Sequence, residues 1–376
     1  YELLKWNPVL CHFLVTLVSN SEYLCNLLIR DPGLLDAFSS VEGLDEPSTR
    51  ESLTATLDGL EKAYRADAAL YRLRDEEMLR IAMRDLVRHA TVAQVGDELT
   101  LLAEVILGRA LEQAREKAAK RFGPAEAGFT ILGLGKLGGW EMGFGSDLDL
   151  VFVYEGRGEV PAGTAAAEYF ASVASHTLKS LKEPTRHGIL YDIDARLRPD
   201  GNKGVLAVRR DRLRQYYAEE AQSWERLALM KARTVAGDPE FGENVERMVK
   251  DIAFSLPLDH ASLEQIDSLR RQHKERANEL DLKHWDGGIN EVEFIMRFWQ
   301  LHHAPSYPEI KRGDVFGALD IIEEHQLEDL NECAVVRESY GKLRRMLNRV
   351  RMMQGNSENK MPSTPEARTA FCFPNC

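Results

Sequence analysis

Apolar residues recur at helical spacing through the first third of the chain. Leu3, Leu4, Leu10, Phe13, Leu14 and Leu17 form one series, and Leu53, Leu57, Leu60 and Tyr64 another. Asp31-Pro32-Gly33 marks a turn. Thr91 followed by Gln94 fits a capping box, in which the two side chains reciprocally bond the backbone N–H groups that open a helix. From there Val95, Leu99, Leu102, Val105, Ile106 and Leu111 carry an inward stripe toward Phe122. Residues 1–122 thus read as an N-terminal helical domain without a catalytic constellation.

The period changes at Gly123-Pro124. Phe129–Leu134 and Asp147–Tyr154 read as short apolar strands, and Ala165–Leu181 as an amphipathic helix with Tyr169, Phe170, Val173, Leu178 and Leu181 inward. Ile189–Leu197 reads as a strand with Ile189, Tyr191 and Ile193 on one face and Leu190, Asp192, Asp194 and Arg196 on the other. A further strand, Val205–Val208, follows the Pro199-Asp200-Gly201 turn. Strand, helix and strands in this order predict a small mixed sheet backed by helices over 123–237. Beyond Gly237-Asp238-Pro239 helices resume, and Asp286-Gly287-Gly288 leads into one with Val292, Ile295, Met296 and Trp299 inward. Asn331–Met353 is the last helix, so 238–356 reads as a C-terminal helical bundle and 357–376 as a polar, disordered tail. The expected class is α+β, mostly helical overall, with the sheet-bearing core flanked by helical domains. No repeat recurs at a fixed period.

Composition narrows the function. Forty-eight basic against sixty acidic residues give a net charge of −12, which argues against a general binder of nucleic acid or acidic membrane. The five cysteines, Cys11, Cys25, Cys333, Cys372 and Cys376, form no CxxC pair and suit reduced thiols in the cytoplasm. The apolar run Val9–Ile29 is interrupted by His12, Asn20, Ser21 and Glu22, so it does not read as a membrane span, and no signal peptide is visible. Tyr1 in place of Met suggests a piece of a longer product.

The chemistry gathers in FTILGLGKLGGWEMGFGSDLDLVFVYE, residues 129–155. Asp147 and Asp149 alternate with Leu148 and Leu150, so the carboxylates share one face of a strand while the leucines face a core. Two such carboxylates can converge on one cation or bracket two. Upstream, Gly133, Gly135, Gly138 and Gly139 allow backbone N–H groups to approach a ligand, and Lys136 adds a cation. Turn punctuation and a chance Asp-x-Asp explain either piece alone; their adjacency favours a nucleotide and divalent-metal site. Asp194 is the third carboxylate if its strand lies beside Asp147–Tyr154; the alternative is a salt bridge to Arg196 or Arg198. Basic residues exceed acidic ones between Arg196 and Arg233, which fits triphosphate neutralisation, Arg196 and Arg198 being the nearest to Asp194. His302 and His303 read as surface or satisfied core histidines.

GLGKLGGWEMGFGSDLDLVFVYE (133–155), YDIDARLRPDGNKGVL (191–206), SWERLALMKARTVAGD (223–238) and GGINEVEFI (287–295) together resemble the bacterial glutamine-synthetase adenylyltransferase family, whose cores are DNA-polymerase-beta-like nucleotidyltransferases. The resemblance covers nearly the whole chain. Trp140-Glu141-Met142-Gly143 is more similar to the C-terminal, adenylylating half of such enzymes than to the half that removes AMP. It implies Asp147, Asp149 and Asp194 as catalytic and metal-binding acids, with Gly135, Lys136, Gly138, Gly139, Ser146, Arg196 and Arg198 at the nucleotide. It further implies ATP as donor, Mg2+ or Mn2+ as the ion, a tyrosine of glutamine synthetase as acceptor, and PII signalling protein and glutamine as regulators. Three positions depart from the pattern: Gly145 stands where Ser is usual, Asn290-Glu291 replaces Arg-Asp, and the ending ARTAFCFPNC is atypical.

Two other readings stand beside addition of AMP. One is its phosphorolytic removal, which uses the same core motifs; the other is a non-catalytic domain that binds nucleotide or partner. A glycosyltransferase Asp-x-Asp fits the Gly-Lys loop and the later aspartate poorly.

Overall fold

The computed structural model describes residues 8–38, 46–87, 90–156, 165–185, 187–355 and 357–364. Leu3, Leu4, Cys372 and Cys376 lie outside them. Helices α1 (Pro8–Asn20), α2 (Glu22–Arg30), α3 (Arg50–Ala63), α4 (Ala66–Val87) and α5 (Val92–Phe122) come first. Pro32–Phe38, at the expected turn, forms a 3-10 helix. Thr91 and Gln94 make the capping box that starts α5, and Gly123 ends it with a φ of 87°.

Strand β1 (Phe129–Gly133), the one-turn helix α6 (Gly135–Gly138), β2 (Leu148–Tyr154), α7 (Ala166–Lys182), β3 (Ile193–Asp194), β4 (Ala207–Arg209), α8 (Arg210–Gln215), α9 (Ser223–Ala228) and β5 (Arg233–Gly237) build the core. The sheet runs β3-β2-β1-β5, with β4 also on β2. β1 is antiparallel to β2 and β5, whereas β3 and β4 run parallel to β2 at its start and end. Each sheet face has its own core. Phe129, Ile131, Leu148, Leu150 and Phe152 pack with α5 and with Tyr169, Phe170 and Val173 of α7. Leu132, Val151, Val153 and Val208 pack with Phe241, Val245 and Val249 of α10 (Pro239–Phe254). Asp147 and Asp149 stand at the head of that second face, where the apolar alternation of β2 begins.

The remaining helices are α11 (His260–Glu275), α12 (Ile289–His303), α13 (Val315–Glu324) and α14 (Leu330–Gln354), the last three sharing a core of Ile289, Val292, Met296, Leu319, Tyr340 and Leu347. The last helix returns to the N-terminal helices, where Ser21 Oγ donates to the Met352 carbonyl. The architecture is α+β and mostly helical, as expected.

Two expectations fail. The strand Ile189–Leu197 shrinks to Ile193–Asp194, and Leu190 and Tyr191 are both buried, so the alternation is lost. The reason is a set of competing partners. Leu190 and Tyr191 N–H donate to the Leu181 carbonyl at the end of α7, at 3.0 and 3.2 Å, and Arg74 of α4 donates to the carbonyls of Ile189 and Leu190. Ile295, expected inward, is 41% exposed, because the buried stripe of α12 runs through Ile289, Val292, Met296 and Gln300. Within 357–376, Met361 N–H donates to the Leu280 carbonyl at 2.9 Å and the backbone of Lys360 pairs with that of Asp281 as an isolated antiparallel β-bridge. Residues 365–376 lie outside the described ones.

Candidate active site

The turn after β1 is shaped by an aspartate. Gly135 has a φ of +52°, and a β-carbon there would stand 2.1 Å from Asp149 Oδ2, so only glycine lets this carboxylate lie against the backbone. Leu134 N–H donates to the Asp149 carbonyl at 2.9 Å. Gly138 and Gly139 meet protein instead: their β-carbons would lie 2.0 Å from the Lys231 carbonyl oxygen and 2.9 Å from that of Gly313. Lys136 is half-buried, and among the described residues its ammonium has no hydrogen-bond or ion-pair partner. Burial, with Arg351, Arg344 and Lys283 nearby, holds its pKa well below the ordinary lysine value.

The parallel pairing of β2 with β3 sets Asp149 directly opposite Asp194. Asp147 lies two residues earlier and is exposed. Among the described residues, no group donates to the carboxylate of Asp147 or Asp149. Asp149 is pushed up to about 7, first by burial and then by the charges of Asp147 and Asp194, with Lys283 and Lys136 opposing. Asp194 behaves differently. Burial raises it, but Arg196 donates from its backbone N–H at 2.8 Å and from Nε at 2.9 and 3.0 Å, and the net pKa falls below the carboxylate norm. The salt bridge weighed from sequence is therefore present.

Asp147, Asp194, Arg196 and Arg198 line one open cleft of about 460 Å³ together with Lys182 and Asn202. Arg198 is a staple of its wall: nearly buried, it donates to the carbonyls of Ala195, Val205 and Gly204. Ser146 is buried, its Oγ accepting from Gly143 N–H at 3.0 Å and from Arg351 Nη1 at 3.4 Å. Gly145 takes a φ of +62° in that turn, a conformation the usual serine adopts reluctantly. Among the described residues no three acidic, histidine or cysteine side chains form a metal cage. Asp147 and Asp149 nonetheless suit a hard cation such as Mg2+, which binds through one or two carboxylates and completes its shell with phosphate and water.

Several residues of the site were missed from sequence. Lys231 Nζ reaches Glu141 Oε2 at 2.7 Å and Glu293 Oε1 at 3.0 Å, a buried network joining core to bundle. Glu141 also accepts from Val315 N–H at 2.8 Å, and Arg344 donates to its carbonyl. Arg233 stacks on Trp140 at 4.4 Å. Glu141, Lys231 and Glu293 each sit inside one of the quoted motifs, so their opposite charges were a usable signal. Lys283 and Arg351 carried none. Glu291, at one of the departures, accepts from Gly287 N–H and Arg270, each at 2.8 Å, and so fixes the start of α12.

A family model described as glutamate-ammonia ligase adenylyltransferase matches residues 11–248, and one described as GlnD PII-uridylyltransferase matches 260–372. A bifunctional glutamine synthetase adenylyltransferase/adenylyl-removing enzyme of Methylococcus capsulatus is 34% identical over 396 residues, covering 98% of this chain and 42% of the relative. A relative with the same description from Thioalkalivibrio sulfidiphilus is 32% identical over 376 residues, covering 96% of the chain and 39% of the relative. The chain spans about two fifths of the length of these relatives.

Proposed function

From membership of the glutamate-ammonia ligase adenylyltransferase family, to which this chain belongs, we propose that it transfers AMP from ATP to a tyrosine hydroxyl of glutamine synthetase. The observation that carries this reading is the pair of carboxylates Asp147 and Asp149, with Asp149 in register with Asp194 and under the charge of Lys136. The tyrosine oxygen attacks the α-phosphorus, the bond from that phosphorus to the bridging oxygen breaks, and pyrophosphate leaves with the electron pair. Asp194 receives the tyrosine proton, Arg196 exchanging its carboxylate for a phosphate oxygen. When bound at Asp147 and Asp149, Mg2+ or Mn2+ neutralises charge on the triphosphate. Arg196 orients phosphate at the cleft and Arg198 keeps its wall in place; the turn from Gly135 to Gly139 and Ser146 shapes the floor. On this reading the enzyme works in the cytoplasm, where PII protein and glutamine would regulate it. No helix among the described residues is long and apolar enough to cross a membrane.

The relatives' description includes removal of AMP as well as its addition, so phosphorolysis is the second reading. One experiment addresses both. With labelled ATP, Mg2+ and unmodified glutamine synthetase, label should appear on tyrosine, and Asp147→Asn or Asp149→Asn should lower the rate at least ~100-fold with the fold retained. Release of ADP from adenylylated glutamine synthetase and phosphate, without forward transfer, would reverse the direction. Unchanged rates in both variants would sink the site.

A further inference from the structure

The C-terminal bundle presents charge to the nucleotide side of the core. Arg351, on the last turns of α14, is only 4% exposed. Its guanidinium donates to neutral oxygens: Asn359 Oδ1 at 2.8 Å, and Ser146 Oγ, Ser357 O and Glu358 O at 3.4 Å. Among the described residues no carboxylate lies within ion-pair distance of it, although Asp147 and Glu358 attract it and Arg344 repels it. Lys283, half-buried in the turn before α12, likewise has no ion-pair partner among the described residues, and its charge acts on both Asp149 and Lys136.

These two residues are tied into one unit. Leu282 N–H donates to the Asn359 carbonyl at 3.0 Å, and the backbones of Asp281 and Lys360 pair as an isolated antiparallel β-bridge, so the turn holding Lys283 is fastened to the segment that Arg351 grips. Three cations from separate parts of the chain thus act on Asp147 or Asp149, and Arg351 is bonded to Ser146, the neighbour of Asp147. The other charged groups nearby are largely engaged: Glu293 with Lys231 and Arg297, and Arg344 against Glu141. Gathering like charges is unfavourable, and more so once the two aspartates that face them are committed to a cation. A polyphosphate reverses the balance.

We propose that the bundle completes the nucleotide site, Lys283 and Arg351 joining Lys136 to hold the β- and γ-phosphates of ATP. The α-phosphorus then lies at the aspartates and the departing pyrophosphate at the seam between core and bundle. This inference rests on the nucleotide reading above and adds that phosphate binding is shared between two domains.

Isothermal titration with ATP, AMP and inorganic pyrophosphate in Mg2+ tests it. Wild type should bind ATP more tightly than AMP. Lys283→Gln should weaken ATP and pyrophosphate about tenfold each and leave AMP within about twofold. Arg351→Lys, which keeps the charge, should retain pyrophosphate binding, whereas Arg351→Gln should lose it; thermal unfolding identifies a variant that has lost its fold. Unchanged pyrophosphate affinity in Lys283→Gln overturns the inference even where AMP transfer proceeds. Pyrophosphate binding that depends on Lys283, without any transfer to glutamine synthetase, sustains the inference and defeats the transfer reading. A wild type that binds neither ATP nor pyrophosphate defeats both.

Discussion

Asp149 sits where three demands meet: it heads a buried strand, it lies against Gly135, and it faces two other acids. Its native pKa of about 7 stands above the ordinary 3.8. The folded chain therefore holds a proton that the unfolded chain releases, and stability falls as pH rises from about 4 to 7, then stays low. In metal-free buffer Asp149→Asn should match wild type at pH 4 and exceed it by about 2 kcal/mol at pH 8. Adding Mg2+ at pH 8 should raise the melting temperature of wild type but not of the variant. Urea unfolding at the two pH values, with and without Mg2+, decides this; a variant less stable at pH 8 would mean that the charged carboxylate is already compensated.

At the scale of elements, glycines that look alike in sequence do different work. Gly138 closes α6 against the Lys231 carbonyl, where a β-carbon would come within 2.0 Å, while Gly108 on α5 has nothing within 4 Å. Gly138→Ala should therefore destabilise the fold by about 1–3 kcal/mol through overpacking. Gly108→Ala should stabilise it by about 0.5–1 kcal/mol through helix propensity. Denaturant midpoints of the two variants test the contrast, and equal shifts would refute it. Sequence could not separate these positions, because what meets each α-carbon comes from distant segments. The same limit explains the lost strand at 189–192, whose hydrogen bonds go to Leu181 and Arg74. Local signals were legible where they were self-contained. The capping box of α5, the alternation in β2 and the inward stripe of α7 are all present. Asp147 and Asp149 were readable as a same-face pair for that reason, whereas Lys283 and Arg351 reach the site only through tertiary packing.

Across the whole molecule, helices flank the sheet on both sides, and on the C-terminal side an apolar contact through Leu301, Phe294 and Phe298 is joined by a buried ionic one. Lys231 is buried between Glu141 of the turn after α6 and Glu293 of α12. Its removal would strand two carboxylates in the interior, with Arg344 at 3.9 Å from Glu141 and Arg297 at 3.7 Å from Glu293 as weaker company. Breaking a buried ion network from one side costs about 3–5 kcal/mol, more than the net worth of the network, because the remaining charges keep their desolvation penalty. Lys231→Met should thus destabilise the chain by about 3 kcal/mol at pH 8, and by less near pH 5, where a stranded carboxylate takes up a proton. Adding Glu293→Gln to Lys231→Met should restore part of the loss. A double-mutant cycle read by urea unfolding checks the coupling: additive losses would show that Lys231 and Glu293 act independently and that the bundle is held by its apolar contacts alone.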